Sequence, residues 1–209
     1  MIIHLLRHGE TAHNRSGVGL GREDVPLTDF GQAQAHALGT RFAGQPLDAI
    51  FSSPLRRARD VAVQVAGERD IRPQLRTELI ELDVGETEGM TFPKMRELYP
   101  DFMRQWATND TSVRMPGGES IEDAAARLLP FVEELRSLEL GHVAVVSHNF
   151  ITKLLVCQVL GLPLANFRSL STDLASVTTI AITSKGRSSL QVLNDTCHLH
   201  HLERTEGEA

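Results

Sequence analysis

Short apolar runs at residues 2–6, 49–52 and 142–146 each give way to a stretch with helical periodicity. A continuous apolar run reads as a strand covered on both faces, and strands alternating with helices need crossover connections. This pattern restricts the chain to an α/β fold: a three-layer sandwich with a mainly parallel central sheet and helices on both faces. Thr28 caps a predicted helix over 28–42, in which Ala35, Leu38 and Phe42 share a face. Ser53-Pro54 reads as an N-cap followed by proline at the first helical position, with the helix running to about Ala66. Ser120 with Asp123 caps a long helix striped by Ile121, Leu128, Val132 and Leu135, and Pro130 is expected to kink it. A helix over 150–160 stops at Gly161. Residues 176–183 and 188–192 flank SKGR and predict a hairpin. The stretch 91–116 lacks strand signals and reads as a small helical insertion over one sheet edge, a natural place for a lid. The expected organisation is one domain over 1–203, with the insertion at about 89–116 and a polar tail at 204–209.

The net charge is −6 with no basic run, which argues against nucleic-acid binding. Two cysteines, Cys157 and Cys197, make no disulfide framework. The opening MIIHLL has neither a basic region nor a long apolar segment, so a cytoplasmic protein without membrane contact is expected.

The first strand runs straight into Arg7-His8-Gly9. A buried charge costs several kcal/mol unless something pairs with it. Either a carboxylate elsewhere answers Arg7, or the charge serves a ligand. Ligands of open α/β sheets bind at the carboxyl ends of strands, and a glycine there permits a sharp turn. Taken alone, a chance Arg-His pair at a surface turn explains the triplet equally well. Three other stretches shift the balance. FSSPLRRAR places one of Arg56, Arg57 and Arg59 near a helix N-terminus, where anions bind well. VAVVSHNF repeats the first pattern and ends a strand in His148. ELIELDVGETEG supplies Glu78, Glu81, Asp83, Glu86 and Glu88, most of them expected to be exposed and one available as a general acid. Two arginines and two histidines suit a phosphate dianion, and a histidine among cations stays neutral and nucleophilic.

LRHGET, Asn14, PLTDFGQAQA, SSPLRRA, ELDVGETEG, PGGES and VVSH occur in this order. By this ordered set the chain resembles the histidine phosphatase superfamily, on its phosphoglycerate mutase-like branch, from Ile2 to about His198. The resemblance implies that His8 is phosphorylated and that Glu81 is the proton donor. It implies that Arg7, Asn14, Arg57 and His148 hold the phosphoryl group. It implies no metal and no cofactor and a small phosphorylated metabolite as substrate, and it leaves a homodimer open. The implied reaction is phosphomonoester hydrolysis through a phosphohistidine. The nearest alternative is 2,3-bisphosphoglycerate-dependent phosphoglycerate mutase. The stretch 89–116 is short and has only Lys94, Arg96, Arg104 and Arg114 as bases, which favours hydrolysis. A non-catalytic phospho-ligand module is expected to lose His8 or Glu81, and both are present.

The chain departs from the family pattern at Val18, Leu20, Thr87, Asn149 and Leu174, which makes the expected rim of the pocket more apolar than usual. Candidate substrates range over phosphosugars, phosphoserine, phosphoglycerates and α-ribazole phosphate. GVGLG does not follow a strand and lacks the dinucleotide spacing, so it reads as a flexible substrate-side loop. CHLHH fits no standard zinc spacing. His4 reads as a sheet-face histidine, and Trp106 as the packing anchor of the insertion.

Overall fold

The computed structural model describes residues 1–202, so the expected tail at 204–209 lies outside the described residues. Six strands form one sheet: β1 (Ile2–Arg7), β2 (Ala49–Ser52), β3 (Gln74–Leu75), β4 (His142–Ser147), β5 (Val177–Ile182) and β6 (Ser188–Asp195), in the order β3-β2-β4-β1-β5-β6. The pairs from β3 to β1 are parallel, and β5 and β6 are antiparallel to their neighbours. β6 is longer than the hairpin pattern indicated. β3 was not expected, since two exposed residues are too few to show a period.

Side-chain alternation builds two cores, one on each face. On one face, Ile3, Leu5, Phe51, Val143 and Val145 pack against α6 (Ile121–Ser137) and α7 (Asn149–Leu160). On the other, Leu6, Ile50, Ala144 and Val146 pack against α2 (Asp29–Phe42) and α3 (Arg56–Ala66). This is the three-layer sandwich expected from the alternation. The caps at Thr28 and Ser120 form as the sequence indicated, and α6 continues through Pro130. Gly161 ends α7 in the left-handed conformation.

The start of α3 differs from the Ser-Pro reading. Ser53 donates its N–H to Val146 O at 3.0 Å, which keeps the chain in the sheet ladder one residue past β2. The helix therefore begins at Arg56, with Leu55 at the cap position and no side-chain cap. Asp24 supplies the missing acceptor, taking the Arg56 N–H at 2.6 Å.

The 91–116 region contains two short helices, α4 (Phe92–Leu98) and α5 (Pro100–Trp106). Trp106 anchors them as expected. Its ring lies 5.7 Å from Phe102, 6.1 Å from Phe150 on α7 and 6.5 Å from Phe167. The insertion thus docks on the first turn of α7, beside the end of β4.

Arg69 ties the C-terminal ends of α2 and α3 together. It donates to Val65 O and Ala66 O, and also to Ala43 O at 3.1 Å, Gln45 O at 2.9 Å and Phe42 O. These carbonyls have no intrahelical partner, and hydrogen bonds from a charged donor contribute more than neutral ones. Arg69→Ala should lower the unfolding free energy by about 2 kcal/mol in urea titrations while leaving kcat unchanged. Arg69→Lys should recover only part of the loss, because a point ammonium cannot bridge two helix ends.

Candidate active site

Three parallel strands end within one residue of the same level. Register pairs Arg7 with Ser147 across β1–β4 and Ser52 with Val146 across β2–β4. The next residue of each strand is His8, His148 or Ser53, so these three emerge side by side at the carboxyl edge of the sheet. His8 stays in the ladder by donating its N–H to Ser147 O at 3.1 Å. Its ring centroid is 5.1 Å from that of His148.

Hydrogen bonding assigns the ring nitrogens of His8. His8 Nδ1 lies 2.7 Å from the Gly9 carbonyl. A carbonyl only accepts, so Nδ1 holds the proton and Nε2 holds the lone pair. His148 Nε2 lies 2.8 Å from Ser53 Oγ, and its Nδ1 is buried without a partner among the described residues. Burial, then the fields of Arg7 and Arg57, push the His8 pKa well below that of an ordinary histidine. Burial, then Arg57 and His8, do the same to His148. Both rings are therefore neutral at pH 7.

The two expected arginines meet at this point. Arg57, in the first turn of α3, is fully buried and donates from Nη1 to Glu23 O at 2.7 Å and from Nη2 to Gly21 O at 2.6 Å. Arg7 donates from Nη1 to Thr172 O at 2.6 Å. The Nε of each is buried and has no partner among the described residues. Arg56 and Arg59 point to solvent, as expected of a solvated helix face.

Of the acids between Glu78 and Glu88, only Glu81 is buried. Its Oε1 accepts the Leu82 N–H at 2.9 Å and the Phe150 N–H at 3.2 Å, the latter from the first turn of α7. Burial raises its pKa, while the backbone donors and the fields of Arg57 and Arg7 act the other way. Asp83 instead pairs with Arg22 at 3.0 Å, and Glu86 accepts from the Tyr99 hydroxyl at 2.8 Å. Asn14 lies in α1 (Ala12–Ser16), where its Oδ1 accepts from the Thr11 N–H and hydroxyl. Its amide N–H₂ is left for the cleft of about 610 Å³ that Asn14 and Arg7 line together with Val18, Phe30, Leu174 and Leu199.

Two expectations about glycines change. Gly9 does not adopt a positive φ. It is needed for space, since a Cβ there would lie 2.6 Å from Gly31 O. The GVGLG segment is tied rather than loose: Gly19 donates to Met90 O at 2.8 Å, and Gly89 donates to Gly19 O at 2.9 Å. In CHLHH, His198 lies 3.0 Å from Arg41 Nη1 and 3.0 Å from Ala175 O, and Ala175 donates its N–H to His8 O.

Sequence reasoning missed Ser53, which was read as a helix cap, and the Thr172 carbonyl. A signal for Ser53 was available: it stands one residue past its strand, as His148 does past β4.

A family model described as histidine phosphatase superfamily (branch 1) matches residues 3–196. The chain belongs to the histidine phosphatase superfamily. Phosphoserine phosphatase 1 of Hydrogenobacter thermophilus is 34% identical over 196 residues, covering 93% of this chain and 92% of its own. The alpha-ribazole phosphatase of Shigella flexneri superposes with a TM-score of 0.86 at 26% identity, covering 93% of this chain and 96% of its own. A mycobacterial glucosyl-3-phosphoglycerate phosphatase gives 0.85 at 30% identity, over 93% of this chain and 99% of its own.

Within this histidine phosphatase, Ser53 fixes the His148 ring. Ser53→Ala leaves both nitrogens of a buried imidazole unpaired, a loss of about 1–1.5 kcal/mol or roughly tenfold in affinity. Calorimetry should show inorganic phosphate binding weakened by that factor.

Proposed function

We propose that the chain hydrolyses phosphate monoesters of small metabolites through a phosphohistidine on His8. One observation supports this above the others: three buried nitrogens with no partner among the described residues, Arg7 Nε, Arg57 Nε and His148 Nδ1, belong to the cluster around the His8 ring. Buried polar groups are normally satisfied, so such a concentration marks a site built for a multiply charged oxyanion.

In the first step the Nε2 lone pair of His8 attacks phosphorus, and the bond to the leaving oxygen breaks. Glu81 gives its proton to that oxygen. Arg7, Arg57, His148 and Asn14 hold the remaining phosphoryl oxygens, and the arginines supply the positive charge the transfer needs. The Gly9 carbonyl accepts from Nδ1–H and steadies the charged phosphoimidazole. In the second step water attacks phosphorus and gives a proton to the Glu81 carboxylate. The P–N bond breaks, and phosphate leaves. The proton lost to the alcohol is regained from water, so the cycle balances.

The substrate class follows from the named relatives: phosphoserine, glucosyl-3-phosphoglycerate and α-ribazole phosphate are small phosphorylated metabolites. The apolar walls Val18, Phe30, Leu174 and Leu199 support selection by the shape of the leaving group. Residues 1–203 act as one domain in this reading. A homodimer is compatible with this reading, since every group it invokes belongs to one chain. Two unpaired cysteines, Cys157 and Cys197, support a reducing cytoplasm.

Brief exposure to substrate should leave acid-labile, base-stable phosphate on the protein. Peptide mapping should place it on His8, and His8→Ala should abolish it. Label on a serine would overturn the assignment.

The pH dependence of single-turnover phosphorylation tests the proton roles. The His8 pKa is depressed below 6.5, so the neutral nucleophile persists and the rate should hold as pH falls from 7 through 6.5. The Glu81 pKa is raised, so the acid form persists above the ordinary carboxyl range, and the rate should fall as pH rises through that pKa. Glu81→Gln should remove the alkaline limb and slow the step by about 10²–10⁴-fold for alkyl phosphates. The loss should be far smaller for p-nitrophenyl phosphate, whose phenolate leaves without a proton. Equal losses for both leaving groups would make Glu81 a positioning residue.

A further inference from the structure

Glu88 is absent from the chemistry above, yet its carboxylate has an unusual set of partners. It accepts three successive backbone N–H groups, those of Gly21 at 2.5 Å, Arg22 at 2.8 Å and Glu23 at 3.2 Å. The same short segment presents the carbonyls of Gly21 and Glu23 to Arg57. Acid and arginine therefore grip one tripeptide from opposite edges.

The peptide unit between Gly21 and Arg22 is bonded at both ends. Its N–H donates to Glu88 Oε2, and its C=O accepts from Arg57 Nη2. A negative charge on the N–H side polarises the amide and strengthens the carbonyl as an acceptor, so the two hydrogen bonds reinforce each other. The segment has little freedom to adjust. A Cβ on Gly21 would lie 2.8 Å from Leu82 O and 3.1 Å from Glu88 Oε2. Arg22 is held by Asp83 at 3.0 Å and Glu119 at 2.7 Å. The place of the guanidinium thus follows from the place of the tripeptide, and Glu88 holds the tripeptide's N–H edge.

Arg57 has five N–H donors. Two point to Gly21 and Glu23, and Nε–H is buried with no partner among the described residues. A planar fork has to be aimed, and a misplacement of about 1 Å in such a group costs up to ~10²-fold in rate.

We propose that Glu88 is a positioning residue for phosphoryl transfer: through the 21–23 backbone it sets the orientation in which Arg57 meets the phosphoryl oxygens. The inference rests on the phosphoryl-binding role given to Arg57 above. Glu88 touches no reacting atom in this scheme, and its effect passes wholly through Arg57.

A double-mutant cycle on the full chain tests this, with inorganic phosphate binding measured by calorimetry and kcat/KM on an aryl phosphate. Glu88→Ala should weaken phosphate binding about tenfold and lower kcat/KM by about 10–10²-fold. In an Arg57→Ala background, adding Glu88→Ala should change phosphate binding by less than about twofold, because the group it positions is gone. Glu88→Gln keeps the volume and one acceptor oxygen. It serves where Glu88→Ala does not fold, with an expected loss of about threefold and the same non-additivity. A Glu88→Ala protein that is folded and binds phosphate like the wild type overturns the inference, as do Glu88 and Arg57 losses that multiply independently. Arg57→Ala binding phosphate normally would instead bring down the role given to Arg57, and this inference with it.

Discussion

The pairing of β1 with β4 is the constraint on which the site depends. Arg7 lies opposite Ser147, so the next residues, His8 and His148, stand beside each other. A slip of one residue would turn every side chain of β1 to the other face. That slip is prevented because both faces are buried. Leu5 belongs to the core under α6 and α7, and Leu6 to the core under α2 and α3. The apolar alternation that builds the sandwich therefore also sets the distance between the two pocket histidines. β2 adds Ser53 on the far side of His148, and the site spans three adjacent strand ends.

Placing guanidinium groups at these strand ends lowers their solvation, and the structure offsets that in two ways. Part of each guanidinium is bonded to backbone carbonyls: Thr172 for Arg7, Gly21 and Glu23 for Arg57. Glu81, when ionised, opposes both charges electrostatically without forming a direct ion pair among the described residues. A direct bridge would tie the donors to the acid and withdraw both from substrate. Keeping Glu81 on the backbone N–H groups of Leu82 and Phe150 separates the acid from the anion site while leaving it close enough to matter. Burial, and then the same cationic field, lowers the pKa of both histidines and keeps both rings neutral at pH 7.

The insertion and the C-terminal segment close the site from outside the sheet. Trp106 rests on Phe150, whose N–H holds Glu81, so the packing of α5 reaches the acid through one residue. On the other side, Ala175 holds the His8 carbonyl from a left-handed backbone conformation, with φ of 55°. Its own carbonyl accepts from His198, which Arg41 and Asp195 flank. His198, from a stretch that fits no standard zinc spacing, thus braces the end of β1 through Ala175.

Much of this was legible in the chain. The α/β class, the three main strands, the hairpin and most helix ends follow from apolar periodicity and capping residues, which act over a few neighbouring positions. His8, Glu81, Arg7, Asn14, Arg57 and His148 were singled out because their motifs stand in a fixed order, and the structure brings these residues to one end of the sheet. Local sequence did not reveal the start of α3, where ladder pairing with β4 overrode a Ser-Pro cap, or the two-residue β3. Nor did it reveal the contacts of Ser53, Thr172 and Glu88, whose partners lie far away in sequence and exist only once the loops meet. The sequence by itself determined which side chains are available and which faces are buried, because those depend on residue type and local period. Only the tertiary structure decided which nitrogen of each histidine is free, which arginine donors are already engaged and which carboxylate is buried, because each depends on contacts between segments that chain connectivity leaves apart.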